Sequence, residues 1–100
     1  IPPTLLECLA AGCGIVTSKK GGIGELIRDR YNGLLIDSGD HDRPEAYAEK
    51  VIELLDNRDL LNTIRQNGPP SAEEFELDRV GRKILQFYHM VLEQRRIGDG

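Results

Sequence analysis

The side chains best placed to do chemistry lie in the first quarter of the chain. Thr4 and Glu7 stand three residues apart, with Pro2-Pro3 ahead of them and Gly12 behind. This is the S/T-x-x-E spacing of a capping box, in which each side chain satisfies a backbone donor at a helix start. A carboxylate in a first helical turn can also accept two hydroxyl donors at once, beside a helix end that favours negative charge. Spacing alone leaves both readings of Glu7 open. Lys19-Lys20-Gly21-Gly22 follows the apolar, β-branched run Ile15-Val16-Thr17. Ligands of open α/β sheets bind at such strand ends, so the two lysines could meet a phosphate or another anion. A solvated loop with a tight glycine turn accounts for the same four residues. Glu25 could line a cleft there or stabilise its own helix from the first turn.

The other titratable residues offer less. His41 lies in the polar loop over residues 37–43 and is expected in solvent, and His89 is expected at a packing edge of the last helix. Cys8 and Cys13 are too few and too close for a disulfide framework, and they read as small buried thiols. No Ser-His-Asp spacing, metal-ligand cluster or Walker-type loop is present.

The elements that must hold these residues follow from punctuation and periodicity. A helix over residues 4–11 closes at Gly12, in the position that often needs a left-handed conformation. A strand over 14–18, a short helix over 24–28, a turn at Asn32-Gly33 and a strand over 34–36 come next. Asp42, Pro44 and Glu45 announce a helix to about residue 55, with Tyr47, Val51, Leu54 and Leu55 on one stripe. A short helix over 59–67 is expected to stop at Gly68-Pro69-Pro70, with one more turn over 71–75. Asp78 then caps a long helix to about residue 95, whose apolar face carries Val80, Ile84, Leu85, Tyr88, Val91 and Leu92. Residues 97–100 are read as a flexible tail after a segment spanning 1–96. This alternation predicts an α/β fold, a partial Rossmann-like domain of two short parallel strands and about five helices. Two parallel strands are fewer than a sheet normally needs, which identifies the back half of a larger domain.

Composition narrows the function. With 13 Lys plus Arg against 17 Asp plus Glu, the net charge is −4, which argues against a phosphate-gripping nucleic-acid surface. The hydrophobic share of 39% and charged share of 30% suit a globular chain. The longest uncharged run, from Cys8 to Ser18, is far short of the roughly 20 residues of a membrane span. The chain opens on Ile1-Pro2-Pro3 without Met or a signal-peptide pattern, and is expected to be a segment of a longer protein.

Leu6-Glu7-Cys8-Leu9-Ala10-Ala11-Gly12-Cys13-Gly14-Ile15-Val16-Thr17-Ser18 resembles the Leu-Glu-Ala-Met-Ala-x-Gly-x-Pro-Val-Val-Ala-Ser stretch of the group 1 nucleotide-sugar glycosyltransferases, which have the GT-B fold of two facing Rossmann-like domains. Gly21-Gly22-Ile23-Gly24-Glu25-Leu26-Ile27 is similar to their Gly-Gly-x-x-Glu-Leu-Ile, and Tyr31-Asn32-Gly33-Leu34-Leu35 to their x-Asn-Gly-Leu-Leu turn and strand. The 37–42 loop, the 47–55 helix, and Glu74-Phe75 ahead of Arg79-Val80 are placed alike.

The resemblance implies the C-terminal half of a GT-B C-terminal domain, part of an enzyme moving a sugar from a nucleoside diphosphate to an acceptor. Its signature is a Glu-x7-Glu pair whose second member matches Glu7 and accepts the ribose hydroxyls. The first member falls two positions before Ile1, outside this sequence, as do the basic pair on the diphosphate and the catalytic residues. Pro3 and Thr4, with Pro2, match the loop near the sugar and phosphates, and Gly21 and Gly22 match a second donor loop. The nucleoside-diphosphate sugar is the donor substrate, with no further cofactor and no metal expected. Implied partners are the N-terminal domain of the same full-length chain and, for the whole enzyme, a peripheral membrane contact, in a cytoplasmic location. The fragment alone is expected to be inactive and to self-associate through unpaired strand edges. Alternatives are a sugar-nucleotide epimerase segment and a non-catalytic helical interaction module. Gly68-Pro69-Pro70-Ser71 departs from the family, which continues a helix there.

Overall fold

The computed structural model describes residues 2–99. Helix α1 (Pro3–Ala10) leads to strand β1 (Val16–Ser18), helix α2 (Ile23–Leu26) and strand β2 (Leu34–Ile36). A 3-10 turn (Ser38–Asp40), helix α3 (Pro44–Asp56) and helix α4 (Arg58–Asp99) complete the order. β1 and β2 are parallel, with Val16 opposite Leu34, Thr17 opposite Leu35 and Ser18 opposite Ile36.

Successive side chains of a strand point to opposite faces, and β2 uses this to bind two helical layers. Leu35 joins Leu9, Ile15, Leu26, Ile27 and Ala72 on one face. Leu34 joins Leu54, Leu60 and Ile64 on the other. All three β2 residues are buried, whereas Val16–Ser18 are only half-buried. The expected strand over 14–18 is shorter at its start, although Ile15 is still part of the core.

The 28–35 turn is pinned by its own polar side chains. Buried Asn32 accepts a hydrogen bond from the Arg28 amide at 2.8 Å and donates to the Leu26 carbonyl at 3.0 Å. Asp29 accepts from the Leu35 amide at 2.9 Å. Arg30 donates to Glu53 on α3. That hydrogen bond, helped by the charges of Arg30 and Lys50 against the effect of burial, holds the Glu53 carboxyl below its ordinary range. A depressed folded value means the pair stabilises the fold at neutral pH and ceases to do so as pH falls through it. Glu53→Gln should therefore cost stability at pH 7 and nothing once the carboxylate is protonated, as read by denaturant unfolding across pH. The effect will be small, because both partners are partly exposed.

Several expected boundaries change. α1 begins one residue early, with Pro2 as N-cap and no side-chain cap, so the Thr4–Glu7 capping box is not formed and Glu7 lies in the second turn. Gly12 does follow the helix at φ +73°, the left-handed conformation expected of it. α3 has Pro44 in its first turn, as expected, but Arg43 rather than Asp42 precedes it, with no side-chain cap. On its stripe Leu54 is buried and Tyr47 half-buried, while Val51 and Leu55 are exposed.

The largest correction is α4, one helix of 42 residues with Pro69 and Pro70 inside it. The expected stop at 68–70, the separate turn at 71–75 and the cap at Asp78 are not formed; Asp78 instead pairs with Arg82 at 3.1 Å. The described residues accordingly form four α-helices and a 3-10 turn rather than about five helices. Residues 97–99 continue the helix, and Gly100, the end of the expected tail, lies outside the described residues.

From Leu77 to Ile97 α4 is exposed throughout, and the described chain as a whole extends 65 × 28 × 17 Å. On a 3.6-residue wheel, Val80, Ile84, Phe87, Tyr88, Val91 and Leu92 share one arc. The opposite arc, with Phe75, Arg79 and Gln86, is the one facing α1 and α2. The apolar arc thus points away from its own domain, with Ile84 63% and Phe87 63% exposed. An apolar surface of this kind drives association. The isolated chain should show concentration-dependent association in sedimentation, abolished by Ile84→Glu with Val91→Glu. His89 is exposed beside Tyr88, with ring centroids 6.5 Å apart. Among the described residues no helix is long and apolar enough to cross a membrane.

Candidate functional site

α1 and α4 cross closely and leave a groove of about 700 Å³ beside the crossing. Pro2, Pro3, Leu6, Glu7 and Ala10 form one wall, and Pro69, Ala72, Glu73, Phe75, Glu76 and Arg79 the other. The sequence places them by helical spacing: 3, 6, 7 and 10 fall on one face of α1, and 69, 72, 73, 76 and 79 on one face of α4. Leu9, on the adjacent face of α1, is fully buried and holds the helix against the core.

The floor of this groove is apolar and its rim acidic. Glu76 is paired with Arg79 at 2.9 Å, leaving Glu7 and Glu73 uncompensated among the described residues. Glu7 is exposed and makes no side-chain hydrogen bond or ion pair among them. With the capping box unformed, none of the described residues occupies its two oxygens. They are free to accept hydroxyl donors over an apolar floor, the combination a sugar or ribose ring requires. The same rim repels phosphate. The α1 N-terminus adds little against that, since Pro2 and Pro3 carry no N–H and the Leu5 amide is bonded to the Pro2 carbonyl at 3.1 Å.

Of the residues singled out in the sequence, Pro3 and Glu7 are brought together in the groove, while Thr4 is exposed and outside its lining. Gly21 and Gly22 lie in the loop between β1 and α2, and neither lines the groove. Lys19 and Lys20 line a separate recess with Ser18, Ser38 and His41. Glu25 lies in the first turn of α2 and faces Phe75 and Asp78 of α4. Sequence reasoning missed Glu73, Phe75, Glu76 and Arg79 as site walls. Their i, i+3, i+4 spacing was present, but a helix broken at Pro69 hides it.

Cys8 is half-buried, and Cys13 is exposed rather than buried as expected. Burial pushes the Cys8 thiol up, and the neighbouring Cys13 adds to the rise, so Cys8 is a poor nucleophile. Among the described residues no three His, Cys, Asp or Glu side chains are grouped to hold a metal ion.

A parallel strand pair between helical layers defines a partial Rossmann-like α/β domain. Residues 1–70 match the family model described as glycosyl transferases group 1. The chain belongs to that family. It is 29% identical over 83 residues to an uncharacterised glycosyltransferase of Methanocaldococcus jannaschii, covering 83% of this chain and 23% of the relative. It is 26% identical over 95 residues to a D-inositol 3-phosphate glycosyltransferase of Rhodococcus jostii, covering 95% of this chain and 20% of that one. It is 33% identical over 82 residues to sucrose-phosphate synthase 4 of Arabidopsis thaliana, covering 82% and 8%. The chain thus spans less than a quarter of the length of these curated relatives.

Proposed function

We propose that this chain is the donor-side segment of a glycosyltransferase, in which Glu7 accepts hydrogen bonds from the ribose hydroxyls of a nucleoside-diphosphate sugar. The free carboxylate of Glu7, on the rim of an apolar groove with no competing partner among the described residues, carries the reading. A carboxylate accepting two vicinal hydroxyls makes charge-assisted bonds, roughly twice as strong as neutral ones. Pro3 abuts the same groove, Thr4 follows it in the first turn of α1, and Gly21 and Gly22 belong to a second donor loop between β1 and α2. The sugar moves to its acceptor at the cleft with the N-terminal domain of the same chain, without a metal from these residues. The 100 residues alone do not turn over.

The test is donor binding by the full-length protein. Glu7→Ala should weaken UDP-, GDP- or ADP-sugar binding, whichever is the donor, by about 10- to 100-fold, the loss of charge-assisted hydrogen bonds. Glu7→Gln should recover part of it. Calorimetry showing unchanged affinity would remove Glu7 from the site. Product analysis with a labelled donor separates transfer from epimerisation.

A further inference from the structure

The groove that holds Glu7 is acidic at its rim, so charged phosphate must be met elsewhere. A second recess, of about 270 Å³, opens at the carboxyl ends of both strands, lined by Ser18, Lys19, Lys20, Ser38 and His41. Ser18 ends β1 and the two lysines follow it, while Ser38 and His41 come from the loop after β2. Carboxyl ends of parallel strands are where open α/β sheets take ligands. We infer that this recess is a phosphoryl-binding site, in which Lys19 and Lys20 supply the charge and the hydroxyls of Ser18 and Ser38 donate hydrogen bonds to the phosphate oxygens.

Charge is the first support. Lys19 and Lys20 make no ion pair among the described residues, although acids lie close in the opposing loop. Those acids are engaged: Asp40 is bonded to Arg43 at 2.9 Å and Asp42 to His41 Nε2 at 3.1 Å. Asp37, the third acid of the loop, does not line the recess. Neither lysine therefore has an ion-pair partner among the described residues to compete with an incoming anion.

Preorganisation is the second. His41 Nδ1 lies 2.7 Å from the Ser38 carbonyl, and the Tyr47 hydroxyl donates to the His41 carbonyl at 2.9 Å. The Arg43 amide donates to the Asp40 carbonyl at 2.9 Å. These bonds fix the loop carrying Ser38, and pairing with Ile36 fixes Ser18. The hydroxyls of Ser18 and Ser38 have no side-chain hydrogen-bond partner among the described residues. A site held in place before binding loses less entropy when the ligand arrives.

Size decides the ligand class. Sites for drug-sized ligands run from about 300 to 1,000 Å³, so this recess is too small for a whole nucleotide sugar. It fits one phosphoryl group with little attached, either a small phosphate ester or the phosphate end of a larger ligand whose remainder lies outside.

The test uses the full-length protein, with inorganic phosphate as probe and amide NMR shifts as readout. Saturable shifts at Ser18 and Ser38 are expected. Lys19→Ala with Lys20→Ala should weaken phosphate binding about ten-fold or more. Arg95→Ala with Arg96→Ala, an equal change in net charge elsewhere, should leave it within about two-fold. Absence of saturable shifts in the parent protein, or equal weakening by both double variants, would overturn the site. UDP as a second probe identifies the source: competition with phosphate assigns the recess to the donor's diphosphate, and independent binding assigns it to a separate phosphate ester. Glu7→Ala should leave phosphate binding unchanged, so a failure of the ribose assignment reads out separately from a failure of this one.

Discussion

Gly68→Ala is expected to lower the stability of the fold by about 1–3 kcal/mol, a fall in Tm of roughly 5–20 °C for a domain of this size. Gly68 is buried where α4 crosses α1, and a Cβ built on it would lie 2.6 Å from the Leu9 carbonyl oxygen. That oxygen is backbone of a helix packed into the core, so it cannot rotate aside as a side-chain tip would. In an exposed helix the same substitution stabilises by about 0.5–1 kcal/mol. Gly81 supplies that control within α4, since nothing lies within 4 Å of the point its Cβ would occupy. Thermal unfolding should therefore show opposite signs for the two variants. A stabilised Gly68→Ala protein would mean that the two helices do not meet there, and the groove beside the crossing would go with it.

The second large effect is expected at the two prolines. Within a helix each proline lacks the N–H that would bond to the carbonyl four residues back, and its ring crowds that carbonyl, costing about 3 kcal/mol. Here the carbonyls concerned belong to Arg65 and Gln66. Both prolines are exposed, so their rings return little by burial. Pro69→Ala with Pro70→Ala should raise stability by about 1–3 kcal/mol, the helix-propensity gain less the lost stiffening of the unfolded chain. Calorimetry on the double variant reads this directly. If the variant is no more stable than the parent, α4 is not continuous through residues 68–70.

Neighbouring contacts explain how the helix survives the prolines. The Ser71 hydroxyl donates to the Asn67 carbonyl at 2.6 Å, Asn67 Nδ2 donates to the Tyr31 carbonyl at 3.0 Å, and Arg65 Nε donates to the Gly12 carbonyl at 3.0 Å. Ile64 before the prolines and Ala72 after them are both buried, in clusters on opposite faces of the sheet. Docking on either side keeps the two halves of α4 in one helix where local preference would end the first.

The groove beside Glu7 was legible by halves. Its α1 wall follows from Pro3, Leu6, Glu7 and Ala10, whose spacing is local. Its α4 wall was hidden, because reading Gly68-Pro69-Pro70 as a stop separates Ala72, Phe75 and Arg79 from the helix that carries them. The role of Glu7 changed for a similar reason. The spacing with Thr4 permits a capping box, but Pro3 takes the first helical position and moves Glu7 into the second turn. A motif in sequence offered two uses for that carboxylate, and the frame of the helix removed one of them.

What the sequence determined was whatever adjacent residues can enforce. The β-branched and aliphatic runs make two strands, Asn32-Gly33 makes the turn between α2 and β2, and Pro44 opens α3. The tertiary structure alone decided the continuity of α4, the burial of Gly68 against Leu9, and the meeting of Lys19 and Lys20 with Ser38 across the strand ends. Each joins residues far apart in the chain, and its energy comes from burial and proximity on folding, to which no local spacing rule has access.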